Sequence, residues 1–397
     1  MLKEKIRQLA SEFHDEIVAV RRHLHAHPEL SYQEEETSRF VAAKLGEWGI
    51  SHQTGVAGHG IVGEIRGGKG AGRVIALRAD MDALPIQEAN DVPYRSQNPG
   101  VMHACGHDVH TASLLGAARI LQSLSAELSG VVKLLFQPAE ERLPGGAKLM
   151  IEAGVLENPV PELIIGQHVH PPLAAGRVGL RPGRYMASAD ELYLTVKGRG
   201  GHGALPHDCV DPILVASHLI VALQQLVSRR SDPTIPSVLT IGKIESEGGS
   251  TNVIPNAVHM MGTFRTMDEQ WRAEAHELME RLVDGLVRSM GASCEFKILK
   301  GYPFLVNEPA LTERIRRMAE EYLGAENVVD LPIRMTAEDF AYYSQRLSAC
   351  FYRLGTGNES KGITSPVHTD TFDVDEESLL HGMGLMAWLA AGTLTGV

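Results

Sequence analysis

Residues 131–141, VVKLLFQPAEE, contain a short apolar run that stops at a proline and two acidic residues. Apolar runs of this length, bounded by residues that favour turns, are typical of β-strands buried on both faces. Two further stretches have the same form, RVIALRAD at 73–80 and ELIIGQHVH at 162–170. Because helical patterns lie between them, near 108–127 and 145–156, the sequence predicts a mostly parallel sheet covered by helices.

The pattern changes near residue 186. From there to residue 301 the order of predicted elements is strand, helix, strand, strand, helix, strand, which is the order of a ferredoxin-like βαββαβ unit. After residue 301 helices and strands alternate again. The predicted fold class is therefore α/β, with one mostly parallel domain formed by residues 1–185 and 302–397 and a ferredoxin-like domain inserted at 186–301.

Composition and charge exclude several classes of protein. The chain has 397 residues, is 44% hydrophobic and 22% charged, and carries a net charge of −12, so it should fold into two or three domains. The negative charge has the wrong sign for binding nucleic acid or an anionic membrane surface. Its four cysteines form no CxxC pair, which argues against a disulfide framework and for reduced thiols.

The two ends of the sequence predict a cytoplasmic protein without a membrane span. Charges are spread through the first 25 residues, so they lack the uninterrupted apolar region of a signal peptide. The apolar stretch at 379–397 is interrupted by His381 and by glycines. We expect that stretch to form a buried helix.

The densest group of chemically active residues is MHACGHDVHTA at 102–112, which contains His103, Cys105, His107, Asp108 and His110. Cysteine and histidine are the side chains that zinc-like metals prefer. Cys105 and His107 are two positions apart and point to the same side of an extended segment, so both can reach one metal centre. The alternative is a buried structural cysteine beside a helix-capping Asp108.

The three apolar strands all end in residues that can bind metal or transfer protons. In a parallel α/β sheet, functional sites gather at the carboxyl ends of strands. A turn or a helix cap would explain any one of these pairs, but it explains all three together poorly. The pairs are Asp80 and Asp82, Glu140 and Glu141, and His168 and His170.

These residues favour hydrolysis at two metals. Adjacent acids on an extended chain point to opposite sides, so one of Glu140 and Glu141 is expected to bind metal while the other acts as a general base on a bound water. With Asp80 as a further candidate, the acids, the cysteine and the histidines exceed the four ligands of a single tetrahedral zinc. A two-metal site that activates water fits this surplus.

Other enzyme classes lack their motifs. GHGIVG at 58–63 runs into a predicted strand and not a helix, and GRGGHG at 198–203 has no helix directly after it, so neither supports a nicotinamide site. The sequence contains no GxSxG, HExxH or GxxxxGK[ST] motif. A non-catalytic metal-binding or storage protein stays open as an alternative. Isolated histidines are usually structural, but His202 lies in a glycine-rich segment and His368 in SPVHTDTF.

Taken in order, the motifs resemble the amidohydrolase branch of the aminoacylase and glutamate-carboxypeptidase metallopeptidases. The resemblance extends over essentially the whole chain, and HACGHD with QPAEE is its most specific part. This branch includes hippurate hydrolases, auxin-amino-acid conjugate hydrolases, N-acyl-amino-acid amidohydrolases and N-acetyldiaminopimelate deacetylases. The motifs that carry the resemblance are HPELSYQEEET, LRADMDALPIQE, MHACGHDVHTA, FQPAEE, GQHVHP, GRGGHGALPH, NVIP, GTFRT, MTAEDFA and SPVHTDTF.

This resemblance implies a metal-dependent hydrolase of N-acyl-L-amino acids, with a dipeptidase or carboxypeptidase as the alternative. It implies that the inserted domain is a lid and dimerisation domain within a catalytic domain, in a homodimer or homotetramer. It also implies two divalent metal ions per subunit, zinc or manganese, with cobalt or nickel as further options.

The resemblance also assigns roles residue by residue. Glu140 is expected to be the general base and acid, Asp82 to orient a ligand, and His202 to stabilise the oxyanion, in related enzymes from the partner subunit's lid. Where the wider family has His-x-Asp, this sequence has Asp80-x-Asp82, and Asp80 is therefore left out of the ligand set. Asn252 and Arg265 are expected to hold the substrate carboxylate. The implied metal ligands are Cys105, His107, Glu141, His168 and His368.

Overall fold

A computed structural model describes residues 1–396, which divide into two compact units. Unit 1 comprises Met1–Gly183, Val306–Pro332 and the residues from Asp339 onward, and unit 2 comprises Arg184–Leu305 and Ile333–Glu338. The inserted unit thus runs from 184 to 305, where the sequence predicted 186–301. It also includes residues 333–338, which lie within the predicted 302–397 part of the other domain.

The helices and strands follow the predicted order closely. Up to the start of unit 2 the elements are α1 (Leu2–Ala26), α2 (Glu35–Glu47), β1 (Ser51–Val56), β2 (Gly60–Arg66), β3 (Val74–Asp80), α3 (His107–Ser123), β4 (Val131–Gln137), α4 (Gly146–Glu152), β5 (Leu163–Ala174), β6 (Val178–Leu180) and β7 (Gly183–Met186). Next come β8 (Asp190–Lys197), β9 (Gly201–His202), α5 (Pro212–Gln225), β10 (Ser237–Ser246), β11 (Val253–Ile254), β12 (Ala257–Thr266), α6 (Glu269–Ser289) and β13 (Ser293–Lys300). The chain ends with β14 (Leu305–Asn307), α7 (Pro309–Leu323), β15 (Val328–Asp330), α8 (Ala341–Ser344), β16 (Ser348–Gly357) and α9 (Glu377–Thr395).

Unit 1 is built on an eight-stranded sheet in the order β1-β2-β4-β3-β5-β16-β6-β15. Its centre is parallel, because β3 pairs in parallel with both β4 and β5, and β5 pairs in parallel with β16. The pairs β1–β2, β2–β4 and β16–β6 are antiparallel. The predicted α/β class is confirmed, and the carboxyl ends of β3, β4 and β5 lie side by side at one edge.

Helices α1, α3 and α9 pack on one another and bury their apolar side chains with those of the sheet. The apolar C-terminal stretch forms α9, most of whose residues are buried, as predicted. Apolar residues at helical spacing in α1, including Ile6, Phe13 and Ile17, face the same core. This core supports α3, whose first residue is His107.

Unit 2 has the predicted ferredoxin-like fold. Its main sheet has four strands in the order β10-β12-β8-β13, every pair is antiparallel, and the side chains of α5 and α6 join those of the sheet in a second core. The stretch 252–266 is divided into the two strands β11 and β12. Pro255 lies between them and has no N–H to donate to a neighbouring strand. β11 pairs instead with β9.

We expect Gly106→Ala to lower the thermal unfolding midpoint more than Gly55→Ala. Both glycines have positive φ, 78° and 75°, which costs another residue about 1 kcal/mol. At Gly55 an added Cβ meets nothing within 4 Å, whereas at Gly106 it would lie 2.6 Å from Val169 Cγ2. The crowding adds about 1–3 kcal/mol for Gly106→Ala. Equal midpoints for the two variants would show that the start of α3 has room beside β5.

Candidate metal centre

Five side chains converge where α3 begins, beside the carboxyl ends of β4 and β5. Ligand atoms of Cys105, His107 and His168 lie within 4.8 Å of one another, and so do those of Cys105, Glu141 and His368. Cys105 belongs to both groups. The five residues that the resemblance implied as ligands are therefore brought together as two overlapping ligand groups that share one sulfur.

The sulfur of Cys105 lies at the middle of the cluster. It is 3.4 Å from His168 Nε2 and 3.3 Å from His368 Nε2. His368 Nε2 is also 3.3 Å from Glu141 Oε1. Although His368 is distant in sequence, its main-chain N–H donates to the carbonyl of Ala104 at 2.7 Å, and its φ is 65°. The local backbone thus fixes the ring beside the sulfur.

Asp82 sets the tautomer of His107. The carboxylate can only accept a hydrogen bond, so His107 Nδ1, 3.2 Å from Asp82 Oδ1, carries the proton. The other oxygen of Asp82 accepts from Ser31 Oγ at 2.6 Å and from the N–H of Glu141 at 3.0 Å. In the neutral form of the ring the lone pair is therefore on His107 Nε2, and this atom is buried with no hydrogen-bond partner among residues 1–396. A metal ion would satisfy this atom, in the carboxylate–histidine–metal arrangement common in proteins.

The charges of the cluster favour a cation. Burial lowers the pKa of His107, but the negative charges of Asp80 and Cys105 and the hydrogen bond to Asp82 outweigh it, so the pKa lies well above its usual value. Hydrogen bonds to Cys105 and Glu141 raise the pKa of His368 to about 10. The donor set and its surplus of negative charge both fit divalent metal ions.

Cys105 depends most on such a cation. Burial and the neighbouring carboxylate of Glu141 raise the pKa of its thiol above the usual value. The thiolate is the form that binds metal. A bound cation would supply the positive charge that stabilises it in this buried position.

The two adjacent glutamates do not point apart, and that prediction was wrong. Ligand atoms of His107, Glu140 and Glu141 all lie within 4.8 Å of one another. The reason is that β4 ends at Gln137 and Ala139 adopts a positive φ of 52°, so the chain is not extended at the glutamates. Glu140 Oε1 accepts a hydrogen bond from the main-chain N–H of Asp339 at 3.3 Å.

Asp80, by contrast, belongs to a second group, which contains Arg78 and His110. Its carboxylate is 2.6 Å from Arg78 Nη1 and 2.5 Å from His110 Nδ1, and both partners are buried. Burial raises the pKa of Asp80, but the charges of His107 and Arg78 and the hydrogen bond from His110 outweigh it and hold the pKa well below its usual range. Burial lowers the pKa of His110, which favours its neutral form.

Sequence reasoning missed the residues around Arg78. Its guanidinium also donates to Asp339 Oδ1 at 2.7 Å and to Gln137 Oε1 at 2.9 Å. A charged residue within a stretch predicted to be a buried strand was the available signal, because such a residue needs a partner of opposite charge. Ser31 and Glu34, which contact the site from the HPELSYQEEET segment, gave no comparable signal.

His202, Asn252 and Arg265 lie in unit 2. In the β9–β11 pair His202 is opposite Val253, and the N–H of Gly203 donates to the carbonyl of Asn252 at 2.7 Å. His202 and Asn252 are therefore neighbours. Arg265 lies on β12, where its Nη1 donates to the carbonyl of Met335 at 3.3 Å.

His103, the first histidine of the 102–112 segment, belongs to neither ligand group. It is buried, and its two ring nitrogens have no hydrogen-bond partner in the described part of the chain. Burial lowers its pKa to about 4, so the ring is neutral at physiological pH.

Comparison with known proteins places this fold and site in a family. The model of peptidase family M20/M25/M40 matches residues 76–391. The thermostable carboxypeptidase 2 of Saccharolobus solfataricus is 41% identical over 392 residues, 98% of each chain. The N-acyl-L-amino acid amidohydrolase of Geobacillus stearothermophilus is 44% identical over 307 residues, 77% of this chain and 82% of the relative.

Among solved structures, the YxeP protein of Bacillus subtilis, a dinuclear metal binding peptidase from family M20, superposes with a TM-score of 0.82. It is 35% identical, and the match covers 98% of this chain and all of that one. Fold and site together define a metal-dependent hydrolase. The chain belongs to peptidase family M20/M25/M40 and is an amidohydrolase of that family.

We expect Glu34→Gln to stabilise the protein increasingly as the pH rises from 5 to 8. Burial, followed by the charge of Asp82, raises the pKa of Glu34 from 4.5 to about 7, and its Oε1 accepts from the N–H of Ala139 at 2.7 Å. An acid with a raised pKa stabilises the fold below its unfolded pKa, and this contribution is lost as the pH rises through 7. Glutamine keeps the acceptor and stays neutral.

Between pH 5 and pH 8, the free energy of unfolding of the variant should rise by about 2 kcal/mol relative to that of wild type. Thermal midpoints of chelator-treated proteins at pH 5 and pH 8 measure it, as a shift of roughly 2–3 °C. Glu35→Gln is the matched control, because Glu35 is the next residue and its side chain is 70% exposed. A pH-independent difference for Glu34→Gln would mean that this carboxyl is not neutral in the folded protein.

Proposed function

We propose that this protein hydrolyses the amide bond of N-acyl-L-amino acids, of the hippurate, N-acetyl or indoleacetyl type, to a carboxylic acid and a free amino acid. The observation that carries the proposal is the placement of Glu140 within 4.8 Å of ligand atoms of His107 and Glu141. A carboxylate beside a two-metal ligand set is positioned to accept a proton from a water molecule there. The similarity to the Geobacillus stearothermophilus amidohydrolase supports this substrate class.

The metals would be held by the two overlapping groups: Cys105, His107 and His168 in one, and Cys105, Glu141 and His368 in the other. When bound, such ions lower the pKa of a coordinated water and polarise the substrate carbonyl. Thiolate and imidazole ligands favour zinc, carboxylates admit manganese, and cobalt or nickel can occupy similar sites.

Glu140 takes the proton from the attacking water and delivers it to the departing amine. Its Oε1 accepts a hydrogen bond from the N–H of Asp339, which orients the carboxylate beside the ligand cluster. Asp82 holds His107 in the tautomer that presents Nε2 to the ligand cluster. The base and one ligand are thus oriented by neighbouring main-chain and carboxylate groups.

His202 stabilises the oxyanion, and Asn252 and Arg265 bind the substrate carboxylate. His202 Nδ1 accepts from the N–H of Ala204 at 3.0 Å, so the neutral ring carries its proton on Nε2, and this side chain is exposed. It is therefore a hydrogen-bond donor that a negatively charged oxygen can use. Burial lowers the pKa of Arg265, and a bound carboxylate would offset that cost.

A carboxypeptidase or dipeptidase is the second candidate. The identity of 41% with the thermostable carboxypeptidase 2 of Saccharolobus solfataricus favours it. Rates on dipeptides and on N-acyl amino acids with the same C-terminal residue distinguish the two activities. Higher kcat/KM on the dipeptides would replace our proposal.

We propose that two copies of the chain associate through unit 2. α5 and the turn that follows it, Pro212–Arg230, are long and apolar enough to cross a membrane, yet only a third of the most apolar part is buried. Leu214 and Val221 are 53% and 73% exposed. Within residues 1–396 the strand β10 is at the edge of its sheet and pairs with β12 alone, and it carries the exposed Ile244. A second copy that covers α5 and pairs with β10 would bury these residues and satisfy the free strand edge.

A homotetramer would need a further contact between copies beyond the one through α5 and β10.

We propose a cytoplasmic location for the protein. All four cysteines are unpaired, and unpaired cysteines are typical of a reducing compartment.

We expect Glu140→Gln to lower turnover by at least about 10²-fold while metal binding is retained, because the amide keeps the shape but cannot accept the proton. The assay is amine release from N-acetyl, N-benzoyl and indoleacetyl amino acids, with metal analysis of the same samples. Chelator-treated wild type is the control, and release from it should be lost and restored by added metal. Retained turnover in the variant would remove Glu140 from the role of base.

We expect His202→Ala to lower kcat by about 10²–10³-fold, as for the loss of one oxyanion donor. If this histidine acts on the partner's site, mixing the variant with Glu140→Gln should restore part of the activity. The same mixture carrying Leu214→Glu and Val221→Glu should restore none, because the proposed contact between copies is removed. Mixed dimers without restored activity would show that each site is completed within one chain.

A further inference from the structure

We infer that His110 is a positioning residue for the proposed metal ligand His168, which it holds through the main chain of Val169. This role presupposes the proposed metal centre and adds a residue to it. His110 lies on α3 one turn after His107 and is fully buried. It was one of the candidate metal-binding residues of the 102–112 segment.

Both ring nitrogens of His110 are already occupied. The carboxylate of Asp80 is only an acceptor, so Nδ1, 2.5 Å away, carries the proton and donates it. Nε2 then has a lone pair, which accepts the main-chain N–H of Val169 at 2.8 Å. Although ligand atoms of Asp80, His107 and His110 lie within 4.8 Å of one another, His110 has no lone pair left for a metal.

Val169, which donates its N–H to His110, also accepts a hydrogen bond from His168. The carbonyl of Val169 accepts a hydrogen bond from His168 Nδ1 at 2.8 Å, so that nitrogen carries the proton. The lone pair of His168 is therefore on Nε2, the atom 3.4 Å from Cys105 Sγ. Because His110 holds the N–H of Val169 and His168 uses its carbonyl, the position of the His168 ring depends on His110.

Asp80 keeps His110 in the required tautomer. Arg78 Nη1 binds Asp80 Oδ2 at 2.6 Å and leaves Oδ1 for His110. The hydroxyl of Thr111 donates to the main-chain carbonyl of Asp80 at 2.7 Å and does not contact the carboxylate. Asp80 therefore acts on the centre through His110 and Val169.

The test is metal affinity, measured with zinc by competition against a chromophoric chelator. His110→Met removes the donor and the acceptor with little change in volume, and we expect zinc affinity to fall by about 10–100-fold. His110→Gln has a donor and an acceptor at the end of a chain of similar length, and its affinity should stay within about threefold of wild type. The absorption bands of the cobalt-substituted protein should change in His110→Met and persist in His110→Gln, because they report the geometry around Cys105.

Thr111→Val is the matched control. It removes a buried hydrogen bond to Asp80 from the same turn of α3 but leaves the His110 ring and Val169 untouched, so zinc affinity and the cobalt spectrum should not change. If His110→Met binds zinc as tightly as Thr111→Val, the inference is wrong. If His110→Met does not fold, His110→Gln decides, because a tenfold loss of affinity in that variant contradicts the role.

Zinc binding by the wild-type protein and by Cys105→Ala distinguishes a failure of the positioning role from a failure of the proposed metal centre. If wild type binds fewer than two zinc ions, or if Cys105→Ala leaves affinity unchanged, the proposed ligand set fails. If wild type binds two ions and depends on Cys105 but His110→Met matches wild type, only the positioning role fails.

Discussion

The buried guanidinium of Arg78 is the interaction on which the construction of the site depends. It binds Asp80 on one side and Asp339 on the other, and all three side chains are buried. Removing the cation would leave two carboxylates without their charge partner in the interior, a loss that typically costs 3–5 kcal/mol. Asp80 in turn accepts a hydrogen bond from His110, and the main-chain N–H of Asp339 donates one to Glu140. One cation therefore orients both the proposed ligand region and the proposed base.

The parallel centre of the sheet explains why residues far apart in sequence meet. Residues Asp80 and Gln137 are paired at the ends of β3 and β4, and β5 runs beside β3 in the same direction. The sequence was sufficient to predict this part, because three apolar runs each ended in acids or histidines and the strand direction follows from the helices between them. The ferredoxin-like unit was predictable for a similar reason, since its element order is itself distinctive.

What could not be predicted depends on backbone conformation and on long-range contacts. Glu140 and Glu141 both reach the ligand cluster because Ala139 has a positive φ, and an alanine in the sequence does not indicate such a conformation. Residues 333–338 join unit 2 through main-chain hydrogen bonds such as that from Arg334 to Tyr185, which leave no periodic pattern in the sequence. The contact between Asp80 and His110 joins residues 30 positions apart, and no pattern in the sequence indicates it.

The lone pairs that would bind metal also bind protons, so protons and metal ions compete for the same ligand atoms. The neighbouring anions that raise the pKa of His368 to about 10, and that of His107 above its usual value, are the groups that would hold a cation. Metal binding at neutral pH must therefore displace protons from these rings and from the thiol of Cys105, whose pKa is also raised. Asp82 holds the proton of His107 Nδ1, so in that ring the exchange is confined to Nε2. Burial lowers the pKa of His168, and its hydrogen bond to Val169 keeps the one ring proton on Nδ1, so Nε2 of this ring has a lone pair without losing a proton. The surrounding hydrogen bonds thus determine which atom of each histidine binds the metal, while the surplus of negative charge determines that a cation is bound at all.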